Sequence, residues 1–156
     1  MVKTNAIRLI EQAGIQFRTT SYEYDENDLS GLHAASAIGM PPEQVFKTLV
    51  ANGDKNGICV FCIPVCCSLD LKKAAKASGN KKLDLVPVKD LLGLTGYIRG
   101  GCSPIGMKKA FPTYIEETAI LFEEIAVSAG VRGNQIILHP DDLIQYVNMI
   151  TYDLIE

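Results

Sequence analysis

The sequence predicts an α+β fold, in which short helices are intermixed with many short strands. Two observations predict it. Apolar residues at helical spacing come only in short runs. Aromatic and β-branched runs fall between them in no regular order, so a repeating βαβ series is excluded. The chain has 156 residues, a length that suits one domain, residues 1–156, with a core that needs no disulfide or metal staple. No internal repeat, linker or low-complexity segment divides it.

The elements follow in order. Ala6, Leu9, Ile10 and Ala13 stand at i, i+3, i+4 and i+7, and Gly14 stops that helix. Gln16 to Tyr24 reads as a strand, and the acidic Asp25 to Ser30 reads as a turn. Leu32 to Ile38 is a short helix ended by Gly39. After Pro41-Pro42-Glu43, Val45 to Ala51 is a strand. The tight Asn52–Gly57 connection folds Ile58 to Val65 back onto it as a hairpin. Ser68 or Asp70 caps a helix through Ala77, with Leu71, Ala74 and Ala75 inward, Lys72, Lys73 and Lys76 outward, and Gly79 past its end. Val86 to Leu92 is a helix around Pro87, and Gly96 to Gly106 a strand end running into a Gly/Pro-rich loop. Thr113 to Glu117, Ile125 to Ser128 and Gln135 to Leu138 are strands. Asp141 and Asp142 open a last helix that ends near Val147.

Composition narrows the class. Hydrophobic residues make up 47% and charged residues 21%, which excludes wholesale disorder, collagen and coiled coil. No apolar run approaches the ~18 residues of a membrane-spanning helix, and the first residues have no signal-peptide core. Five cysteines, four of them between Cys59 and Cys67, make no disulfide framework, so the sequence reads as a reduced cytoplasmic protein. The net charge of −3 hides an asymmetry. Lys72 to Lys109 carries nine basic and two acidic residues, and the remainder is strongly acidic. That segment is either a dock for a polyanion or a solvated lysine-rich face.

Few residues offer chemistry. Lys47 lies in the apolar strand Val45-Phe46-Lys47-Thr48-Leu49-Val50, on one face with Val45 and Leu49. If that face is inward, its ammonium reaches a core or cleft and can hold a phosphate or an oxyanion. If the strand is an edge, it faces water. Gly100-Gly101-Cys102-Ser103-Pro104-Ile105-Gly106 is a compact loop that either aims backbone N–H groups at an anion or makes a plain turn. Gly101 and Gly106 have P-loop spacing, but Met107 replaces the phosphate lysine. Ser128, Gly130 and Arg132 form a second turn that presents a hydroxyl and a guanidinium. Cys59-x-x-Cys62 in a strand sends its thiols to opposite faces, with no second pair and only His33 and His139 beside it, so no metal site is expected. No spacing selects a cysteine nucleophile, and no G-x-S-x-G elbow is present.

Several stretches nevertheless combine into a pattern. They are Tyr22-Glu23-Tyr24-Asp25, Pro42 to Leu49, Pro64-Val65, Leu69 to Lys76, Thr95 to Ile98, Gly100 to Gly106, and Val127-Ser128 through Arg132-Gly133. In this order they resemble the YbaK/EbsC family, free-standing relatives of the editing domain inserted in bacterial prolyl-tRNA synthetases. The resemblance implies a mixed, partly curled sheet with helices packed around it. It implies a deacylase that clears mischarged tRNA without a cofactor, Cys-tRNA(Pro) above all, with the substrate thiol attacking its own ester. The alternatives are Ala-tRNA(Pro) or another misacylated tRNA, and a non-catalytic module that binds tRNA or a synthetase. By position Lys47 is the key lysine, holding the terminal adenosine or its phosphate and the developing oxyanion. Tyr22 lies beside the site and Ser128 on its rim, with Gly130 and Arg132 in the same turn. Gly100, Gly101, Ser103, Pro104 and Gly106 form the loop that receives the aminoacyl end. Lys72, Lys73, Lys76, Lys108 and Lys109 face the acceptor stem, and prolyl-tRNA synthetase is the implied partner. The chain departs from the family pattern at Asn134-Gln135, where an acidic residue can stand, and at Leu29 and Leu32, where an aromatic is expected.

Overall fold

The computed structural model describes residues 3–156. In chain order the elements are α1 (Asn5–Gln12), β1 (Phe17–Ser21), α2 (Gly31–Ile38), β2 (Phe46–Gly53), β3 (Gly57–Pro64), α3 (Leu71–Ala77), β4 (Leu83–Leu85), α4 (Val88–Thr95), β5 (Thr113–Glu116), β6 (Ile125–Ser128), β7 (Asn134–Leu138), α5 (Pro140–Val147) and β8 (Ile150–Tyr152), with 3-10 turns at Pro42–Gln44 and Glu117–Leu121. The fold class is α+β, as the sequence predicts.

The strands make two sheets. One is antiparallel in the order β1-β7-β6. The other is mixed, in the order β4-β2-β3-β5-β8. The hairpin of β2 and β3 and the β4 edge are antiparallel, whereas β5 and β8 add in parallel. A single parallel bridge from Val45 to Ala126 joins the two sheets. β3 is the central strand of the mixed sheet, and its continuous apolar run from Cys59 is buried to the end.

Three apolar clusters hold the sheets. Ala6, Ile7 and Ile10 of α1 pack with Phe46, Cys62, Ile115, Val127 and Ile136. Ala74 and Ala75 of α3 pack on the opposite face of the mixed sheet, against Phe61, Ile63, Tyr114 and Leu154. Ala35 of α2 covers Val45, Ala126 and Ile137, where the sheets meet.

Several boundaries differ from the sequence reading. Ile7 is buried in place of Ala13, because the first helix stops at Gln12 and Ala13 is its exposed C-cap. Leu71 is exposed, because it opens a short helix capped by Asp70 and lies before the turn that meets the sheet. β1 ends at Ser21, where its partner β7 begins. No strand occurs near Gly96, which instead caps α4 in the left-handed region at φ 86°. The two three-residue strands β4 and β8 carry too little pattern to be read locally; their pairing partners create them.

Candidate active site

β2 sets the site. On one side it pairs with β3 from Phe46 to Gly53. On the other, among the described residues, it is held at its ends, by the Val45–Ala126 bridge and by β4, whose ladder reaches Ala51 and is extended by the Val86 N–H, just past β4, donating to the Val50 carbonyl. Between these points the sheets part around a cavity of about 540 Å³. The main-chain groups of Val50 point toward β4, so alternation aims those of Thr48, two residues earlier, the same way. The Thr48 N–H and C=O therefore face the gap with no strand partner.

The other walls come from distant parts of the chain. Ser128 and Gln135 are directly opposed across β6 and β7. Tyr22 follows β1, Ser30, Gly31 and Ala34 lead α2, and Leu85, Val88 and Leu91 come from β4 and α4. Tyr22 is half-buried, with its ring edge-on to His33 at 6.2 Å. Lys47 lines the cavity and is half-buried. The strand edge is open, but it opens into a cleft rather than into bulk water. Among the described residues no ion pair engages the Lys47 ammonium. Among the described residues Arg99 is the other cation on the wall, and no Asp or Glu lines it. The site is thus electropositive and suits an anion or a developing oxyanion.

The glycine loop is lashed to the turn between β6 and β7. The Ser128 hydroxyl donates to the Gly101 carbonyl at 3.0 Å and accepts from the Gly130 N–H at 3.1 Å. Arg132 Nε donates to the Arg99 carbonyl at 2.9 Å. A Cβ on Gly101 would sit 3.2 Å from the backbone of Val131 and Arg132, so glycine permits the close approach. Gly100 and Cys102 reach the cavity. Ser103 and Pro104 are buried behind it, the Ser103 hydroxyl accepting from the Ile105 N–H, and Gly106 lies against Leu9 and Tyr97. The Tyr97 hydroxyl donates to the Ile105 carbonyl, and burial pushes its pKa up to about 12.

The lysines stand on separate elements. Lys72 and Lys76 are exposed on α3. Lys73 is engaged: its ammonium donates to Asp153 at 3.1 Å and to the Ile155 carbonyl at 2.7 Å. Lys108 packs on Gly96, and Lys109 lies 5.9 Å over the Phe111 ring. Burial pushes the Cys62 thiol to about 12 and that of Cys102 to about 11. Burial, with Cys66 beside it, raises Cys67 to about 11. Such thiols are protonated at neutral pH, which disfavours them as nucleophiles. Among the described residues no group of three or more His, Cys, Asp or Glu is placed to hold a metal ion. No helix among them is long and apolar enough to cross a membrane.

Sequence reasoning missed the free Thr48 edge and the α4 wall, and met Gln135 only as part of a departure from the family pattern. Only Gln135 left a local signal, a polar residue leading the buried run Ile136-Ile137-Leu138.

A solved structure described as a proposed trans-editing enzyme for prolyl-tRNA synthetase superposes with a TM-score of 0.86 at 25% identity, over 100% of this chain and 99% of its own. The hypothetical protein APE2540 shares the fold, with a TM-score of 0.86 at 19% identity over 96% and 97%. The architecture is therefore one shared with a proposed tRNA-editing enzyme. EbsC of Enterococcus faecalis (strain ATCC 700802 / V583), a proposed Cys-tRNA(Pro)/Cys-tRNA(Cys) deacylase, is 49% identical over 146 residues, 94% of this chain and 89% of EbsC. Residues 31–146 match the model of the aminoacyl-tRNA editing domain. The chain belongs to the aminoacyl-tRNA editing domain family, and the YbaK/EbsC resemblance read from its motifs is borne out.

Proposed function

We propose that the protein is a trans-acting aminoacyl-tRNA deacylase that clears Cys-tRNA(Pro). The likeness to EbsC across nearly the whole chain carries this reading. The cavity supports it, since it offers positive charge and main-chain hydrogen bonding but no activated protein nucleophile. The cysteinyl thiol is then the attacking group. Its sulfur bonds to the ester carbonyl carbon, the bond from that carbon to the ribose 3′ oxygen breaks, and the sulfur's proton passes to that oxygen. Water later opens the cyclic thioester to free cysteine. Lys47 and the Thr48 N–H stabilise the charge on the carbonyl oxygen, and the clamped glycine loop holds the aminoacyl end. Lys72, Lys76, Lys108 and Lys109 contact the acceptor stem, and prolyl-tRNA synthetase is the partner that presents the substrate.

The name of EbsC pairs Cys-tRNA(Pro) with Cys-tRNA(Cys). That pairing favours a second reading, in which the amino acid rather than the tRNA body is selected. Release of amino acid from Cys-tRNA(Pro), Cys-tRNA(Cys) and Ala-tRNA(Pro) tests both. Loss of cysteine only, abolished by Lys47→Ala, is the expected result. Loss of alanine alone reassigns the pocket, and no loss from any substrate overturns the deacylase reading.

A further inference from the structure

Gln135 is the buried side chain in the described residues whose polar atom finds no partner: its Oε1 accepts no hydrogen bond. The residue is 6% exposed and lines the cavity. Its register is fixed on both sides, opposite Ser128 on β6 and Thr20 on β1. It shares a face of β7 with Ile137, which packs under α2 with Ala35 and Val45. Ser128 and Thr20 are the hydroxyl residues directly opposite it, but the one proton of Ser128 is given to the Gly101 carbonyl and Thr20 makes no hydrogen bond to Oε1. An unpaired acceptor held away from water is destabilising, and an apolar residue at this place in the strand would remove the cost. The oxygen is shielded in this conformation, and a half-turn about the soft terminal torsion of the carboxamide brings it to the cavity wall as the amide nitrogen moves inward in its place.

We propose that Gln135 is the acceptor that positions the α-amino group of the aminoacyl ester. The inference rests on the editing reading given above. With the ester carbonyl held at Lys47 and the Thr48 N–H, the amino group sits on the carbon beside that carbonyl and is buried with it. It then needs an acceptor. The ionisable groups on the cavity wall are Lys47 from β2, Arg99 and Cys102 from the loop after α4, and Tyr22 after β1. None is a carboxylate, α2 and β4 contribute no ionisable group, and the carboxamide oxygen is the unspent side-chain acceptor on β7. Two cations disfavour a third, so the amine is bound in its neutral form, for which a neutral amide is the matching partner.

The test uses two non-hydrolysable ligands, 3′-cysteinylamino-3′-deoxyadenosine and its 3-mercaptopropionyl counterpart, which lacks only the amino group. Binding of each is measured by calorimetry with the wild-type chain and with Gln135→Met. The wild type is expected to prefer the amino-bearing ligand about tenfold. Gln135→Met is expected to bind both equally and to melt at the same or a higher temperature. A variant that keeps the preference, or a wild type that shows none, overturns the assignment. If neither ligand binds better than adenosine, the editing reading of this cavity fails, and the assignment with it.

Discussion

Lys47 and the thiols make opposite use of burial. Lys47 keeps its ammonium at a half-open wall with no ion pair among the described residues, so its charge is available to a ligand. Lys47→Ala is expected to lower kcat/KM on Cys-tRNA(Pro) on the order of 10²- to 10³-fold, as for loss of an oxyanion partner, with Tm nearly unchanged. A variant with full activity would place the chemistry elsewhere. The thiols are instead held protonated. Burial raises the folded-state pKa of Cys62 to about 12 from an ordinary value of 9.0. The unfolded chain therefore releases this proton first as pH rises. The stabilising contribution is whole below about pH 9 and is lost between pH 9 and 12. Melting temperature should fall across that window, and Cys62→Ala should make the fall shallower. An unchanged slope would mean that Cys62 is not the group titrating.

At the scale of elements, the site depends on two pieces of chain staying in contact. Ser128 ties the glycine loop to the β6–β7 turn by donating to Gly101 and accepting from Gly130. Ser128→Ala leaves both groups unpaired in a buried place. It should cost about 1–3 kcal/mol in urea unfolding and raise KM through a loosened loop. Normal stability would remove the clamp from the account. Helix α3 depends on its cap, since Asp70 accepts from the N–H groups of Lys72 and Lys73. Asp70→Ala should destabilise by about 1 kcal/mol in the same assay and leave turnover unchanged, because α3 does not line the cavity.

Across the whole molecule, charge is divided against the net value. The chain is acidic overall at −3, yet its middle segment is basic. Binding to tRNA should weaken steeply with salt. Changing Lys108 and Lys109 together to Ala should reduce the slope of log K against log salt by about 2 if each contacts a phosphate. Lys73→Ala should leave that slope alone, since its ammonium is spent on Asp153 and the Ile155 carbonyl. A slope that moves with Lys73 and not with Lys108 and Lys109 would take Lys108 and Lys109 out of the acceptor-stem contact and add Lys73 to it.

The helices α1, α2, α3 and α5, the β2–β3 hairpin and the strands β5 to β7 were legible because their signals are local: apolar spacing, caps, turn residues and β-branched runs. Lys47 and the glycine loop were legible as motifs for the same reason. The tertiary structure alone decided where the sheets part. The free edge at Thr48 exists because β2 meets Ala126 at one end and β4 at the other, contacts far apart in the chain. It also spent Lys73 on the C-terminal segment, buried Ser103 behind the cavity and left Gln135 unpaired on the wall. Periodicity specifies which face of an element is buried. It does not specify which distant element arrives to cover that face or stops short of it, and the cavity is made where the covering stops.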